Sequence, residues 1–269
     1  MIVYAVMSQS SVVQLFVAGI IPGVIGGFFL MLAAYVTARK KNFPVEETFN
    51  IPNVKKTAKD AALAFLLPVI ILGGIFGGVV TATEGAGLAV VASLVIGFIY
   101  KEIDFKRLYE SACEGAIQTA SVMLLVAASV LLGEFLTIEQ IPQKVAESII
   151  EFTNNKYAVL GILNIFLLII GFFLHSVAAI ILTVPIVMPL VNAVGIDPVH
   201  FGIIVTLNLA IGQQTPPVAS VLVTACSVAK ADIWDVTRSN ISFICVLLVL
   251  LLLVTYVPVS YTHLRAHET

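Results

Sequence analysis

Leu207-Asn208-Leu209-Ala210-Ile211-Gly212-Gln213-Gln214-Thr215-Pro216-Pro217-Val218 is the stretch on which the fold turns. It lies in Val199 to Val228, an apolar segment long enough to cross a bilayer, which takes ~20 residues. Pro216 and Pro217 have no amide to donate, and Pro217 holds Pro216 away from helical backbone. The expectation is a helix broken halfway across, with carbonyls left without amide partners. Such a break survives in a membrane only where protein or a water-filled cavity covers it. Asn208, Gln213, Gln214 and Thr215 cluster there, and four hydrogen-bonding side chains in one span are expected to line a cavity. A proline kink that holds nothing is the plainer alternative.

The rest of the chain agrees with a membrane setting. Of 269 residues, 59% are apolar and only 11% are Asp, Glu, Lys or Arg, against about 25% charged in ordinary soluble domains. Mean hydropathy is +1.07. A soluble globule would need far more polar surface, and a disordered chain far less Leu, Ile, Val and Phe. A net charge of −2 gives no general attraction to nucleic acid. Cys113, Cys226 and Cys245 lie in or beside apolar runs without CxxC spacing, as small apolar residues do.

Five stretches separate by charge. Residues 1–38 carry no Lys, Arg, Asp or Glu and form a span, cleanest from Ser11 to Thr37, without the basic start of a signal peptide. Residues 39–60 are charged, contain Pro44 and Pro52, and are read as a cytoplasmic surface segment. Residues 61–137 hold further spans: Ala61 to Tyr100 crosses twice with a turn near Thr81–Gly87, a cytoplasmic connection follows at 101–115, and Ala116 to Thr137 crosses again. Residues 138–228 begin with an amphipathic segment and contain the two polar breaks. Residues 229–259 are a cytoplasmic loop and a last Leu/Val span. Arg39, Lys40, Lys41, Lys55, Lys56, Lys59, Lys101, Lys106, Arg107, Lys230 and Arg238 all fall in the three loops placed inside. Lys144, Lys156 and Arg265 are on the other side, and both ends of the chain are placed outside.

The second polar break is His175-Ser176, in the middle of the apolar run 157–194. Pro185 and Pro189 are expected to weaken the second arm as a helix. Two arms meeting at a polar tip fit a re-entrant hairpin, and two full crossings fit equally on length. His175 is a proton carrier, a ligand-facing donor or a capping residue. It has no neighbours at metal-ligand spacing, and zinc sites need three or four ligands. Glu84 follows Thr81 and Thr83 after a pair of glycines, either wet at a membrane surface or a buried polar point. HExxH, GxSxG and the phosphate-binding GxxxxGK[ST] are absent from the sequence, so no enzyme activity and no ATP-driven step is expected.

Several of these motifs together resemble one family. Gly74-Ile75-Phe76-Gly77-Gly78-Val79-Val80-Thr81-Ala82-Thr83-Glu84 is similar to its GGI-x-GG-xx-T-x-TE-A motif. Leu136-Thr137 with Gln140-Ile141-Pro142-Gln143 also resembles it. So do Gly195-Ile196-Asp197-Pro198-Val199-His200-Phe201-Gly202, Leu207 to Gly212, and Thr215-Pro216-Pro217-Val218. The family is the large membrane subunit, M or DctM type, of tripartite ATP-independent periplasmic (TRAP) transporters, and the resemblance runs from residue 1 to about 259.

The resemblance implies an all-α polytopic membrane protein forming the second half of an inverted-repeat, elevator-type transporter, with a re-entrant hairpin at 157–194 and a broken helix at 199–228. It implies Na+-coupled uptake of a carboxylate (a C4-dicarboxylate, sialic acid or another sugar acid) across the bacterial inner membrane, with no other cofactor. The implied partners are a periplasmic substrate-binding protein, a small four-helix membrane subunit, membrane lipid and the N-terminal half of the same permease. Ser176, Asn208, Gln213, Gln214 and Thr215 are the substrate-binding candidates. Ser176, Gly212, Thr215 and Pro216 are the Na+ candidates, and Thr81, Thr83, Glu84 and His175 are further polar positions.

Three departures stand beside the resemblance. His175 stands where the family usually has an acidic residue, and Gln213-Gln214 replace more apolar residues. The resemblance places Met1 after the family's first repeat, from which a C-terminal fragment is expected. Residues 260–269 turn abruptly polar and are read as a non-native tail. The alternative to a transport subunit is a non-transporting membrane scaffold or degenerate fragment.

Overall fold

The computed structural model describes residues 1–42, 50–101, 103–153, 155–216 and 219–257. Pro44, Pro217 and the tail 260–269 lie outside these residues. The described residues are helical with short connections, as the composition requires: α1 (Ile2–Ser8), α2 (Val12–Lys40), α3 (Ile51–Phe76), α4 (Ala82–Ile99), α5 (Phe105–Ile138), α6 (Ile141–Phe152), α7 (Lys156–Phe173), α8 (Ser176–Ala193), α9 (Pro198–Gly212), α10 (Ser220–Ala229) and α11 (Ile233–Tyr256). Among the described residues α2, α4, α5, α7, α8 and α11 are each long and apolar enough to cross a membrane.

Several helix starts follow from local chemistry. Asp104 accepts from the Arg107 amide at 2.7 Å, Asp197 from the Val199 and His200 amides, and Asp232 from the Trp234 amide. These carboxylates satisfy amides that the first turn leaves free. Pro52, Pro142 and Pro198 sit at first or second helical positions, where no amide needs to be donated. Two expectations change accordingly. The charged stretch before residue 61 is helical from Ile51, with a 58° bend between Ile51–Lys59 and Ala61–Phe76. Residues 105–115, expected as a connection, are the first turns of α5, begun by Asp104.

The chain divides into two compact units, Asn42–Ser121 and Met1–Lys41 with 122–269. In Asn42–Ser121, α3 and α4 form a helical hairpin. The Val79 amide donates to the Gly74 carbonyl at 3.0 Å, and Gly78 has φ +68°, a left-handed conformation that ends the helix at little cost only for glycine. Apolar side chains such as Phe65 and Val90 stand bare on these helices.

The other unit is built around α9. Ten of its 15 residues are buried, among them Phe201, Ile204, Asn208 and Ile211. At about 22 Å it is too short to span a ~30 Å hydrocarbon core alone, and it is apolar all round because α1, α2, α7, α8 and α11 pack against it. Pro185 and Pro189, expected to weaken the arm 176–193, leave α8 continuous. Pro185 cannot donate to the Ile181 carbonyl one turn back, and the Ser129 hydroxyl of α5 donates there instead, at 2.8 Å. A neighbouring hydroxyl is a known way for membrane helices to tolerate proline.

Candidate functional site

Three helix ends meet in this unit. α7 ends at Phe173, Leu174 turns extended, and α8 begins at Ser176 with His175 as its N-terminal flanking residue. α9 runs beside α7 in the same direction, since Asn164 pairs with Asn208 and Gly171 meets Gly212. The last meeting is a backbone contact. A Cβ built on Gly212 would lie 2.5 Å from the Gly171 carbonyl carbon and 2.6 Å from its Cα. Small residues are what allow membrane helices to approach so closely. Two helix C-termini, each a partial negative charge, therefore converge beside the N-terminus of α8, a partial positive charge.

After Gly212 the chain leaves the helix in tight turns. The carbonyls expected to be unpaired are not. Ile211 accepts from the Gln214 amide at 3.1 Å and Gly212 from the Thr215 amide at 3.0 Å. Gln213 accepts from the Val221 amide at 3.2 Å, and the Gln214 carbonyl from Asn240 Nδ2 at 3.4 Å. Closing i to i+3 bonds and borrowing donors across the break satisfies one lone pair on each oxygen. The Gly212, Gln213 and Gln214 carbonyls each keep a second lone pair. Thr215 Oγ1 donates to the Ile211 carbonyl at 2.9 Å, so its own lone pairs are not consumed by that bond.

The candidate residues separate on this frame. Gly212, Gln213, Gln214, Thr215 and Pro216 are consecutive at the end of α9, with Gln213 to Pro216 half-buried. The Gly171–Gly212 contact sets this segment beside the tip, where Ser176 is half-buried and His175 exposed. Asn208 is elsewhere. One turn below Gly212 on the same face, it is fully buried, and its Nδ2 donates to Asn164 Oδ1 at 2.7 Å and to the Ile204 carbonyl at 2.9 Å. Asn164 Nδ2 donates in turn to Thr255 Oγ1 of α11 at 3.0 Å. Asn208 Oδ1 is a buried acceptor without a partner among the described residues. Asn208 thus joins α9 to α7 and α11 where a cavity-lining role was expected.

Thr81, Thr83 and Glu84 belong to the first turn of α4, in the other unit. Thr81 Oγ1 accepts from the Glu84 amide at 3.3 Å, and Glu84 Oε2 accepts from the Thr81 amide at 2.8 Å. This reciprocal capping box accounts for both residues. Thr83 is exposed.

Asn164, Gly171 and Thr255 are participants that the sequence motifs did not single out. Asn164 carried a signal: a lone amide in the apolar run 157–173 requires a polar partner across a helix interface.

The fold defines a multi-pass α-helical membrane protein with a short apolar helix, α9, held inside its protein core. The family of the tripartite ATP-independent periplasmic transporter, DctM component, matches residues 1–260, and the chain belongs to that family, whose members are transporter permeases of the bacterial inner membrane. The chain is 40% identical over 259 residues to the isethionate TRAP transporter permease protein DctMQ of Oleidesulfovibrio alaskensis, covering 96% of this chain and 41% of that protein. It is 36% identical to the C4-dicarboxylate TRAP transporter large permease protein DctM of Pseudomonas aeruginosa, covering 96% of this chain and 61% of the other. Against the sialic acid TRAP transporter large permease protein SiaM of Vibrio cholerae it is 34% identical over the same shares. The chain therefore spans between two fifths and about three fifths of the length of these curated relatives.

Proposed function

We propose that the chain supplies one half of the solute pathway of a TRAP large permease that takes up a small organic anion with Na+. The observation that supports this is the convergence of the α7 and α9 C-termini at Gly171–Gly212 beside the α8 N-terminus. Carbonyl-rich helix ends suit a hard cation, and a helix N-terminus suits an anion. Ser176, Gly212, Thr215 and Pro216 are the proposed Na+ residues. Ser176, Gln213, Gln214 and Thr215 are the proposed solute contacts. The relatives' names span C4-dicarboxylates, sialic acid and a sulfonate, so a carboxylate or similar oxyanion on a small oxygenated skeleton is the proposed cargo.

The same reading assigns 157–194 as a re-entrant hairpin and α9–α10 as the broken helix of one inverted repeat, moving as an elevator. A preceding half of the permease would supply the matching repeat. A periplasmic binding protein would deliver the solute, and a small four-helix membrane subunit would brace the permease.

Thr215→Val tests the Na+ assignment in the complete permease assembled with its partners. Valine keeps the shape and removes the oxygen. The Na+ concentration for half-maximal uptake is expected to rise about tenfold, equivalent to ~1.4 kcal/mol, with membrane abundance unchanged. Unaltered Na+ activation removes Thr215 from the site.

The hairpin makes a second expectation. Because α7 and α9 run in the same direction, Asn155 and Asp197 should lie at the same membrane face. Asn155→Cys and Asp197→Cys are each expected to react with an impermeant thiol reagent added from outside, in a background without the native cysteines. Reaction from opposite faces excludes the hairpin.

A further inference from the structure

α2 and α11 pack antiparallel, with Gly26 against Leu250, and enclose a groove of about 560 Å³ toward the basic end of α2. Phe29, Leu32, Val36, Val246 and Val249 make its apolar walls, and Cys245, an exposed residue, also lines it. Thr37, Ser242, Lys40 and Lys41 line it together at one end. The groove is therefore amphipathic along its length, grease first and two cations last. The rise from Phe29 to Lys40 is about 17 Å at ~1.5 Å per residue, close to one leaflet of a ~30 Å hydrocarbon core.

We propose that this groove binds one acyl chain of an anionic phospholipid, with the lipid phosphate held by Lys40 and Lys41. The apolar length matches a chain in a single leaflet. The lysine pair sits where the headgroup of that chain would lie, and Thr37 and Ser242 add hydroxyls at the same level. Charge complementarity selects an anionic headgroup over a zwitterionic one, since basic pockets between membrane helices attract anionic lipids. The site is independent of the Gly212–Pro216 break and of any transport assignment.

Cys245 reports on the groove directly. Cys113 and Cys245 are exposed and Cys226 is buried, so Cys113→Ser with Cys226→Ser leaves one informative thiol. The full chain is reconstituted in nanodiscs in which phosphatidylglycerol progressively replaces phosphatidylcholine, and alkylation of Cys245 by neutral N-ethylmaleimide is timed. Alkylation is expected to slow by about fivefold or more and to saturate with phosphatidylglycerol. Lys40→Gln with Lys41→Gln, both at exposed positions, is expected to erase that dependence. Any change in interfacial pH acts equally on both proteins, so the contrast between them is the readout. Equal rates in the two lipids, or a dependence that survives the double substitution, overturns the site. Protection by inorganic phosphate in phosphatidylcholine alone overturns the acyl-chain assignment.

Discussion

Gly212→Ala is expected to lower the stability of the membrane-embedded protein by about 2–4 kcal/mol, combining overpacking with a lost interhelical hydrogen bond. The added carbon would sit 2.5 Å from a backbone atom of Gly171, whereas carbon atoms pack at about 3.5–4.0 Å. A flexible side chain could turn aside, but backbone cannot, so α7 and α9 must part by roughly 1 Å along that line. One turn away, the Asn164–Asn208 bond of 2.7 Å would then stretch past hydrogen-bonding range. Gly171→Ala is the graded comparison. Its Cβ would lie 3.3 Å from Gly212 Cα, which a shift of a few tenths of an ångström relieves. Thermal unfolding in detergent should rank the parent above Gly171→Ala and Gly171→Ala above Gly212→Ala. A Gly212→Ala protein that melts with the parent contradicts the backbone contact.

Tyr4→Ala is expected to have a comparable or larger effect, about 3–5 kcal/mol by analogy with aromatic truncations in protein cores. The Tyr4 side chain is fully buried. Its ring meets Phe201 edge-on, with centroids 6.4 Å apart, and lies against Gly202, where any Cβ would collide with it. Its hydroxyl donates to the Pro198 carbonyl at 2.7 Å. That carbonyl is in the first turn of α9, so Tyr4 fastens α1 to the helix around which the unit is built. Tyr4→Phe keeps the ring and loses only the hydrogen bond, at about 1 kcal/mol. Limited proteolysis should release α1 readily in Tyr4→Ala and slowly in Tyr4→Phe. Equal protection of α1 in Tyr4→Ala and the parent would show that the ring does not hold the helix.

What the sequence made legible was chemistry that acts within a few residues. Prolines, polar interruptions and runs without charge announced the apolar helices, the break after Gly212 and the tip at His175. Effects that depend on a partner far along the chain were not legible. Nothing in Val184-Pro185-Ile186 says that Ser129 will supply the missing donor, so the prolines read as a weakness in α8. Asn208 stands four residues before Gly212 and reads as part of one polar cluster. Helix geometry instead turns both toward α7, where one finds an amide and the other a glycine. The Gln213 and Gln214 carbonyls looked abandoned because their donors, Val221 and Asn240, come from beyond the break and from α11.

The bond from Ser129 to the Ile181 carbonyl has a consequence for assembly. Ser129 is the buried residue of α5 among those described, and its neighbours from Val122 to Leu132 offer mostly smooth aliphatic surface. Two such surfaces can slip past each other by a turn, about 5.4 Å, with little change in contact. An oxygen that its own helix cannot serve breaks this indifference, because only one axial position brings a hydroxyl to it. Pro185 thus works as a ruler mark cut into α8: it converts a backbone vacancy into a coordinate that α5 reads when the two helices find each other in the bilayer.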